Sequence, residues 1–219
     1  MPGTKVILLM GATATGKTDL ALEIGRHFPV EIISVDSALI YRGMDIGTAK
    51  PEPQVLDSVP HHLIDIIDPA EPYSVWDFVQ QSRQLVNEIS ARGRIPLLVG
   101  GTMMYFHAFE RGLNRLPEAD VTIRQRLNHE AQQIGWRAMH DRLFEVDPVS
   151  ANRIRPTDTQ RIPRALEVYE LAGESLSELQ QNASVSFDGK IETIILAAND
   201  RASLHPVSYT HLTLPTKIV

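Results

Sequence analysis

Residues 11–18 of the chain read Gly-Ala-Thr-Ala-Thr-Gly-Lys-Thr and match the phosphate-binding pattern G-x-x-x-x-G-K-[S/T]. Glycines at this spacing let backbone N–H groups curl around phosphate oxygens, while Lys17 supplies a positive charge. The hydroxyl of Thr18 stands where such loops bind Mg²⁺. The motif therefore predicts a diphosphate or nucleotide site. Its expected phosphate-binding residues are Gly11, Ala12, Thr13, Ala14, Thr15, Gly16, Lys17 and Thr18.

Asp36 is a second candidate for chemistry, because it stands at the end of the predicted strand Glu31–Val35. An aspartate in this position can accept a proton from an attacking nucleophile, as it does in kinases. The alternative is a local role in which the carboxylate caps the turn that follows. A motor ATPase normally carries an acid at the end of a later strand, but here the run Pro96–Val99 ends in Gly100-Gly101-Thr102. The pattern therefore favours transfer of a group to an acceptor.

Three short segments predict the strands that position these residues: Val6–Met10, Glu31–Val35 and Pro96–Val99. A continuous apolar run such as Val6–Met10 is typical of a strand buried on both faces of a parallel sheet. Helical patterns lie between them, so the order is strand, helix, strand, helix, strand. We therefore predict an α/β fold, with a P-loop NTPase-like parallel sheet flanked by helices.

The carboxyl ends of parallel strands meet at one edge of the sheet, where ligands bind. We therefore expect Asp36, Ser37 and Thr102 to face the phosphate loop. The run Met103–Phe106 fits either an apolar substrate pocket or, more simply, the core side of a helix start. The pair His61-His62 suggests a metal site only weakly, because no acidic residues accompany it at helical spacing.

Residues 114–173 have a helical pattern without a convincing strand, and residues 191–198 resume a strand-like run. We therefore expect an α/β core of residues 1–113 and 174–205, interrupted by an all-helical insertion of residues 114–173. Residues 206–219 are treated as a separate tail.

Charge is distributed unevenly along the chain. It has 21 basic and 27 acidic residues, a net charge of −6, yet residues 111–164 contain ten arginines, no lysine and seven acids. Guanidinium groups fork onto phosphates and stack on bases, so this segment is a candidate RNA-binding surface. A solvated helical face of mixed charge is the alternative interpretation.

Composition excludes several classes of protein. A chain with 43% hydrophobic and 22% charged residues has the ordinary balance of a globular protein, which excludes a disordered, collagenous or coiled-coil chain. No apolar run approaches the ~18 residues of a membrane-spanning helix. The chain contains no cysteine, which excludes disulfides and cysteine-bound metals. We expect a cytoplasmic monomer without a membrane partner.

Five segments closely resemble the bacterial tRNA dimethylallyltransferases, also called isopentenyl-diphosphate:tRNA transferases. They are residues 11–18, 33–51 (Ile-Ser-Val-Asp-Ser-Ala-Leu-Ile-Tyr-Arg-Gly-Met-Asp-Ile-Gly-Thr-Ala-Lys-Pro), 60–65, 100–105 and 158–167. The resemblance runs from about residue 5 to about residue 205. Ala12 stands where the family usually has proline, Pro163 interrupts a motif that usually lacks it, and residues 206–219 resemble nothing in the family. The resemblance therefore implies a C-terminally truncated member.

The resemblance implies that the phosphate loop binds the diphosphate of dimethylallyl diphosphate together with Mg²⁺. The dimethylallyl group would pass to N6 of the adenosine that lies 3′ of the tRNA anticodon. Asp36 matches the general base, with Lys17 and Thr102 as further catalytic residues. The implied tRNA-binding residues are Asp36, Ser37, Ala38, Leu39, Thr102, Arg124, Gln160, Arg161, Ile162, Pro163 and Arg164. A P-loop kinase of small molecules or nucleosides, and an inactive tRNA-binding fragment, are the alternatives.

Overall fold

The computed structural model describes residues 3–181 and 185–197. The chain divides into two compact units, Met1–Gly112 with Ser186–Val219, and Leu113–Val185. Residues 198–205 of the expected core and the tail 206–219 lie outside the described residues. Within the described part of the chain, no helix is both long and apolar enough to cross a membrane.

The first unit is an α/β structure. Its strands are β1 (Lys5–Gly11), β2 (Val30–Val35), β3 (His61–His62), β4 (Ile95–Gly100) and β5 (Lys190–Leu196), and its helices are α1 (Lys17–His27), α2 (Pro53–Ser58), α3 (Val75–Ala91) and α4 (Met103–Arg111). In the described residues these strands form one parallel sheet in the order β3-β2-β4-β1-β5. The predicted α/β fold is confirmed.

The central strands are buried because apolar side chains point to both faces. All six residues of β2 are buried, and so are Val6, Leu8 and Leu9 of β1. Strand β4 approaches β2 so closely that a Cβ added at Gly100 would lie 2.0 Å from the carbonyl oxygen of Val35. This contact explains the glycine at the end of β4, since any side chain there would push the two strand ends apart.

One acidic residue of β2 is buried with the apolar ones. Glu31 is 4% exposed and accepts hydrogen bonds from Arg92 Nε at 3.1 Å and Nη2 at 2.7 Å. Nε2 of His62 lies 2.7 Å from Glu31 Oε2. The histidine pair therefore forms strand β3, with His62 paired to a buried glutamate, and no group of three or more metal-ligating side chains occurs among the residues described.

Ser74 caps the N-terminus of helix α3. The side chain of Ser74 accepts a hydrogen bond from Asp77 N, and Asp77 accepts one from Ser74 N, which completes a capping box. In α4, Tyr105 and Phe106 are buried while Met103 and Met104 are 49% and 62% exposed. The core interpretation of the run Met103–Phe106 therefore holds for its second half alone.

The chain leaves and re-enters this unit at neighbouring points. The backbone N–H of Phe187, just before β5, donates to the carbonyl of Glu110 at 2.9 Å. The rings of Phe109 and Phe187 pack with centroids 4.8 Å apart. These contacts join the end of α4 to the segment that leads into β5.

The second unit is helical in its described residues. Its helices are α5 (Val121–Ile134), α6 (Trp136–Val146), α7 (Pro148–Arg153), α8 (Arg161–Ala172) and α9 (Leu176–Gln181). A hydrophobic core of eight buried residues lies between them: Leu127, Ala131, Met139, Leu143, Ala151, Ile162, Ala165 and Leu166.

The helical unit extends beyond residue 173, where the sequence placed the end of the insertion. Leu176 packs against its hydrophobic core, and Ser177 N donates to Asp147 Oδ2 at 2.9 Å. Asp147 is 1% exposed and also accepts from Ser150 N at 2.9 Å. Residues 174–181 thus group with the helices instead of with the α/β core.

Candidate active site and RNA-binding residues

The phosphate loop connects β1 to α1, as its sequence requires. Gly16 has φ of 81° and Ala14 has φ of 67°, so the loop turns through left-handed backbone just before the helix begins. Thr15 Oγ1 donates to the carbonyl of Ala12 at 2.9 Å, and Lys17 Nζ donates to the same carbonyl. No side chain caps α1, so its first N–H groups are open to an anion.

Lys17 lies in a mixed electrostatic environment. Partial burial of its ammonium lowers the pKa of Lys17 below its ordinary value, and the negative charge of Asp36 opposes part of that shift. The loop lysine and the carboxylate at the end of β2 therefore interact, although 19 residues separate them in the sequence. The expectation that the ends of β1 and β2 face one ligand region agrees with this coupling.

Asp36 organises the turn that follows β2. Its Oδ1 accepts hydrogen bonds from Ala38 N at 2.8 Å and Leu39 N at 3.3 Å. In the described residues, Oδ2 takes part in no hydrogen bond. The turn-capping role weighed in the sequence is confirmed, and it leaves Oδ2 available as an acceptor.

A cavity of about 710 Å³ opens at this edge of the sheet. It is lined by Thr13, Ala14, Thr15, Gly16, Lys17 and Thr18 of the phosphate loop, and by Asp36, Ala38 and Leu39. The structure thus brings together two of the motifs that the sequence singled out. Four predicted residues, Gly11, Ala12, Ser37 and Thr102, are not in the lining. Thr102 instead begins α4 and its N–H donates to the carbonyl of Val35 at 3.3 Å.

The cavity also has a wall that chemical reasoning on the sequence missed. Gly47, Thr48, Ala49, Lys50 and Pro51 line it, together with His61 and Ile64. Burial lowers the pKa of His61, which favours its neutral form, and Nδ1 lies 2.6 Å from the carbonyl oxygen of Val59. The long family-like segment 33–51 was the available signal, but nothing in its residue types identified a cavity wall.

In the helical unit, two predicted RNA-binding arginines meet a buried carboxylate. Glu167 is 0% exposed and accepts from Arg124 Nε and from Arg164 Nη1, the latter at 2.6 Å. Arg164 Nη2 also donates to the carbonyl of Pro117 at 2.7 Å. Arg164 is therefore tied into the unit through both terminal nitrogens, whereas Arg124 is 46% exposed and is held through Nε.

The predicted RNA-binding stretch 160–164 contains both exposed and buried residues. Gln160 and Arg161 are exposed at the start of α8. Ile162 and Pro163 are buried, and Ile162 belongs to the hydrophobic core. The prediction that Ile162 and Pro163 contact RNA is therefore wrong for their side chains, because these are buried in the helical unit. Pro163 fits here since it occupies the first turn, where a backbone N–H has no partner within the helix.

Acidic side chains engage other arginines of the basic segment. Arg126 and Arg142 each bind both Glu130 and Glu170, forming a closed ring of four charges. For these two, the mixed-charge helical face is the better interpretation. Arg137, Arg153 and Arg155 are exposed and, in the described residues, lie in no ion pair. The positive charge available to a partner is thus smaller than the arginine count indicates.

The parallel sheet, the phosphate loop at the end of β1 and the adjoining cavity define a P-loop α/β protein that carries a helical unit. Comparison with known families is more specific. A model of the IPP transferase family matches residues 39–207, and one for isopentenyl transferase matches residues 4–68. The chain therefore belongs to the IPP transferase family, and the resemblance found in its sequence is confirmed.

Individual relatives agree with this placement. A tRNA dimethylallyltransferase from Alkalilimnicola ehrlichii is 57% identical over 205 residues, which are 93% of this chain. The chain spans 65% of that protein's length.

Solved structures are similar too. A full-length tRNA isopentenylpyrophosphate transferase from Bacillus halodurans is 43% identical, with a TM-score of 0.50 over 78% of this chain and 57% of its own. A tRNA delta(2)-isopentenylpyrophosphate transferase from Staphylococcus epidermidis is 30% identical, with a TM-score of 0.56 over 93% of this chain and 66% of its own. A eukaryotic dimethylallyltransferase acting on tRNA shares the fold at 24% identity, with a TM-score of 0.73 over 94% of this chain and 51% of its own.

Proposed function

We propose that this chain catalyses transfer of a dimethylallyl group from dimethylallyl diphosphate to N6 of the adenosine 3′ of a tRNA anticodon. The observation that carries the proposal is the single cavity lined by both the phosphate loop and Asp36. Family membership supports the substrate class, since the relative from Alkalilimnicola ehrlichii is named a tRNA dimethylallyltransferase.

The phosphate loop supplies the means to bind and activate the diphosphate. Negative charge grows on the diphosphate as its bond to C1 of the allyl group breaks. Loop N–H groups and the ammonium of Lys17 stabilise that charge more in the transition state than in the ground state. This use of the loop requires no hydrolysis of a nucleotide.

The residues of the loop fit a magnesium ion. The described residues contain no cluster of three metal-ligating side chains, and Mg²⁺ characteristically needs only one or two protein groups when phosphate oxygens complete its shell. We assign the hydroxyl of Thr18, which lines the cavity, as the protein ligand. When bound, the ion supplies positive charge to the leaving diphosphate.

Asp36 accepts the proton that the attacking amine must lose. Its Oδ1 is held by the backbone of Ala38 and Leu39, which fixes the carboxylate, and Oδ2 is the oxygen assigned to the proton. Ser37, Ala38 and Leu39 form the turn that we assign to the flipped adenosine, which is least costly to unstack when unpaired. Thr102, at the start of α4, is proposed to help position the same nucleotide.

We assign RNA binding in the helical unit to its exposed cations. Arg124 and Arg161 carry this role, with Gln160 next to Arg161 in sequence, whereas Arg164 supports it by holding Glu167. Cations and stacking groups suit a single-stranded anticodon loop.

A transfer assay with the chain as it stands tests the function. Labelled dimethylallyl diphosphate, Mg²⁺ and total tRNA are incubated, and the tRNA is digested and analysed by mass spectrometry. Label on the adenosine beside the anticodon is the expected result. No label from a folded chain that still binds tRNA contradicts the activity, and phosphorylation of a nucleoside by ATP in parallel reactions would establish a kinase instead.

A further inference from the structure

Lys50 lines the same cavity as the phosphate loop, but its ammonium is already fully occupied. Nζ donates to Asp65 Oδ1 at 2.5 Å, to Asp45 Oδ1 at 2.7 Å and to the carbonyl of Tyr41 at 3.2 Å. An ammonium has three N–H donors, so these three acceptors use all of them. The side chain is 6% exposed. Lys50 therefore has no donor left for a phosphate, and its role differs from that of Lys17.

The charge of Lys50 is held in place by its partners. Burial alone disfavours the ammonium, but hydrogen bonds to Asp45 and Asp65 outweigh burial and raise the pKa of Lys50. The two carboxylate partners therefore stabilise the charged form of Lys50. This leaves a fixed positive centre between two carboxylates that come from different segments of the chain.

Those two segments are joined at the backbone as well. Arg42 Nε and Nη2 donate to the carbonyls of Asp65 and Ile66, at 3.1 and 2.8 Å. Ile66 N donates to the carbonyl of Ile40 at 2.8 Å, and Asp65 N donates to that of Leu39 at 3.0 Å. The segment that follows Asp36 is therefore bound to the segment that follows β3.

Three residues at this junction have a strained backbone conformation, which persists where surrounding contacts hold it in place. Ala49, Leu63 and Asp65 have φ of 54°, 60° and 53°, in the left-handed region that side chains disfavour. Two of these residues adjoin or bind Lys50 directly.

A continuous series of contacts links the junction to the proposed base. Asp36 Oδ1 binds Leu39 N, Leu39 O binds Asp65 N, and Asp65 Oδ1 binds Lys50. Without the ammonium, Asp45 and Asp65 lose their shared cation and are left as neighbouring like charges. The cavity wall 47–51 and the turn at Asp36 would then lose a common support.

We propose that Lys50 is a positioning residue whose ammonium holds Asp45 and the cavity wall 47–51 against Asp65 and thereby fixes the turn that carries Asp36. It touches neither the diphosphate nor the acceptor. This inference rests on the proposed function for its catalytic consequence, but the fastening itself is independent of any activity.

Lys50→Met tests the proposal, because it keeps the length of the side chain and removes the charge. Lys190→Met, which removes a 70% exposed ammonium from the same unit, is the matched control. For Lys50→Met we expect kcat to fall about tenfold to a hundredfold, as a misplaced catalytic group predicts, with little change in KM for dimethylallyl diphosphate. Lys50→Arg, which restores the charge, should recover part of kcat.

Amide hydrogen exchange provides a readout that does not need turnover. In Lys50→Met the amides of Leu39, Asp65 and Ile66 should exchange faster, while those of β4 and all amides of Lys190→Met keep their wild-type rates. If wild-type protein transfers no dimethylallyl group, the proposed function fails and exchange alone decides the role of Lys50. Should Lys50→Met not fold, Asp45→Asn replaces it, since Asp45 is 67% exposed and its loss is milder.

Two results overturn the proposal. Unchanged exchange at Leu39, Asp65 and Ile66 in the folded variant would show that Lys50 fastens nothing. Binding of magnesium pyrophosphate, measured by calorimetry, should be nearly the same in Lys50→Met and wild type. A loss as large as that in Lys17→Met would make Lys50 a phosphate ligand.

Discussion

Both carboxylate oxygens of the buried Glu167 accept hydrogen bonds from Nε of Arg124, at 3.0 and 3.1 Å. This bond sets the direction of the guanidinium, and in the described residues neither Nη atom of Arg124 takes part in a hydrogen bond. Arg164 differs, because both of its Nη atoms are engaged by the unit itself. One arginine is thus held ready for an external acceptor and the other is a structural group.

Substitution of these arginines should separate stability from RNA binding. Arg124→Ala and Arg164→Ala each remove charged hydrogen bonds from a buried carboxylate, so we expect each to lower the free energy of unfolding by about 1–3 kcal/mol. Arg161→Ala should change it by less than about 0.5 kcal/mol, since that side chain is exposed. Urea denaturation of the three variants measures these differences.

The salt dependence of tRNA affinity gives the complementary result. Arg124→Ala and Arg161→Ala should each reduce the slope of log K against log salt by about 1, as expected for the loss of one phosphate contact. Arg164→Ala should leave the slope near that of wild type. If Arg164→Ala were the one variant with a reduced slope, Arg164 would be the phosphate contact and Arg124 and Arg161 would not.

Asp36→Asn should change the pKa of Lys17 in the phosphate loop, as well as remove the proposed base. The charge of Asp36 raises the pKa of Lys17, so its removal should lower that pKa further below the ordinary lysine value. Transfer should be lost while tRNA affinity is nearly retained. NMR titration of the Lys17 ammonium measures the shift. Asp57→Asn, in the exposed surface of α2, is the control and should leave both properties unchanged.

Thr18→Ala should remove the effect of magnesium on diphosphate binding. We expect wild type to bind pyrophosphate more tightly with Mg²⁺ than with EDTA, and the variant to show the same weak affinity in both. Thr13→Ala keeps its backbone N–H and should retain the response. Calorimetry under the two conditions makes the comparison, and an intact response in Thr18→Ala would place the ion elsewhere.

Lowering the pH should reduce the stability of the α/β unit, because Glu31 becomes protonated. Hydrogen bonds from Arg92, opposed by burial and assisted by His62, lower the pKa of Glu31 in the folded chain. A folded-state pKa below the unfolded one stabilises the fold above the unfolded value of about 4.3, and this stabilisation is lost as pH falls toward the folded value. Glu31→Gln should be less stable than wild type at pH 7, and the difference should narrow near pH 3 in urea denaturation.

The sequence was sufficient for the parts of the fold that depend on local pattern. Apolar runs identified β1, β2 and β4, and the phosphate motif located the turn before α1. It could not reveal that Ile162 and Pro163 are buried, because the helical core that covers them comes from residues distant in the chain. The pairing of Lys50 with Asp65 was equally hidden, since it depends on how two irregular segments meet in space.

The hydrogen bond from Phe187 N–H to the Glu110 carbonyl makes the helical unit a separable part of the chain. The α/β unit closes the gap between α4 and β5 with its own backbone bond and its own ring contact. Residues 113–185 could therefore be exchanged for a shorter connection without opening the sheet. Evolution can alter the helical unit of such a protein by insertion, deletion or grafting at this one point, while the phosphate loop is inherited intact.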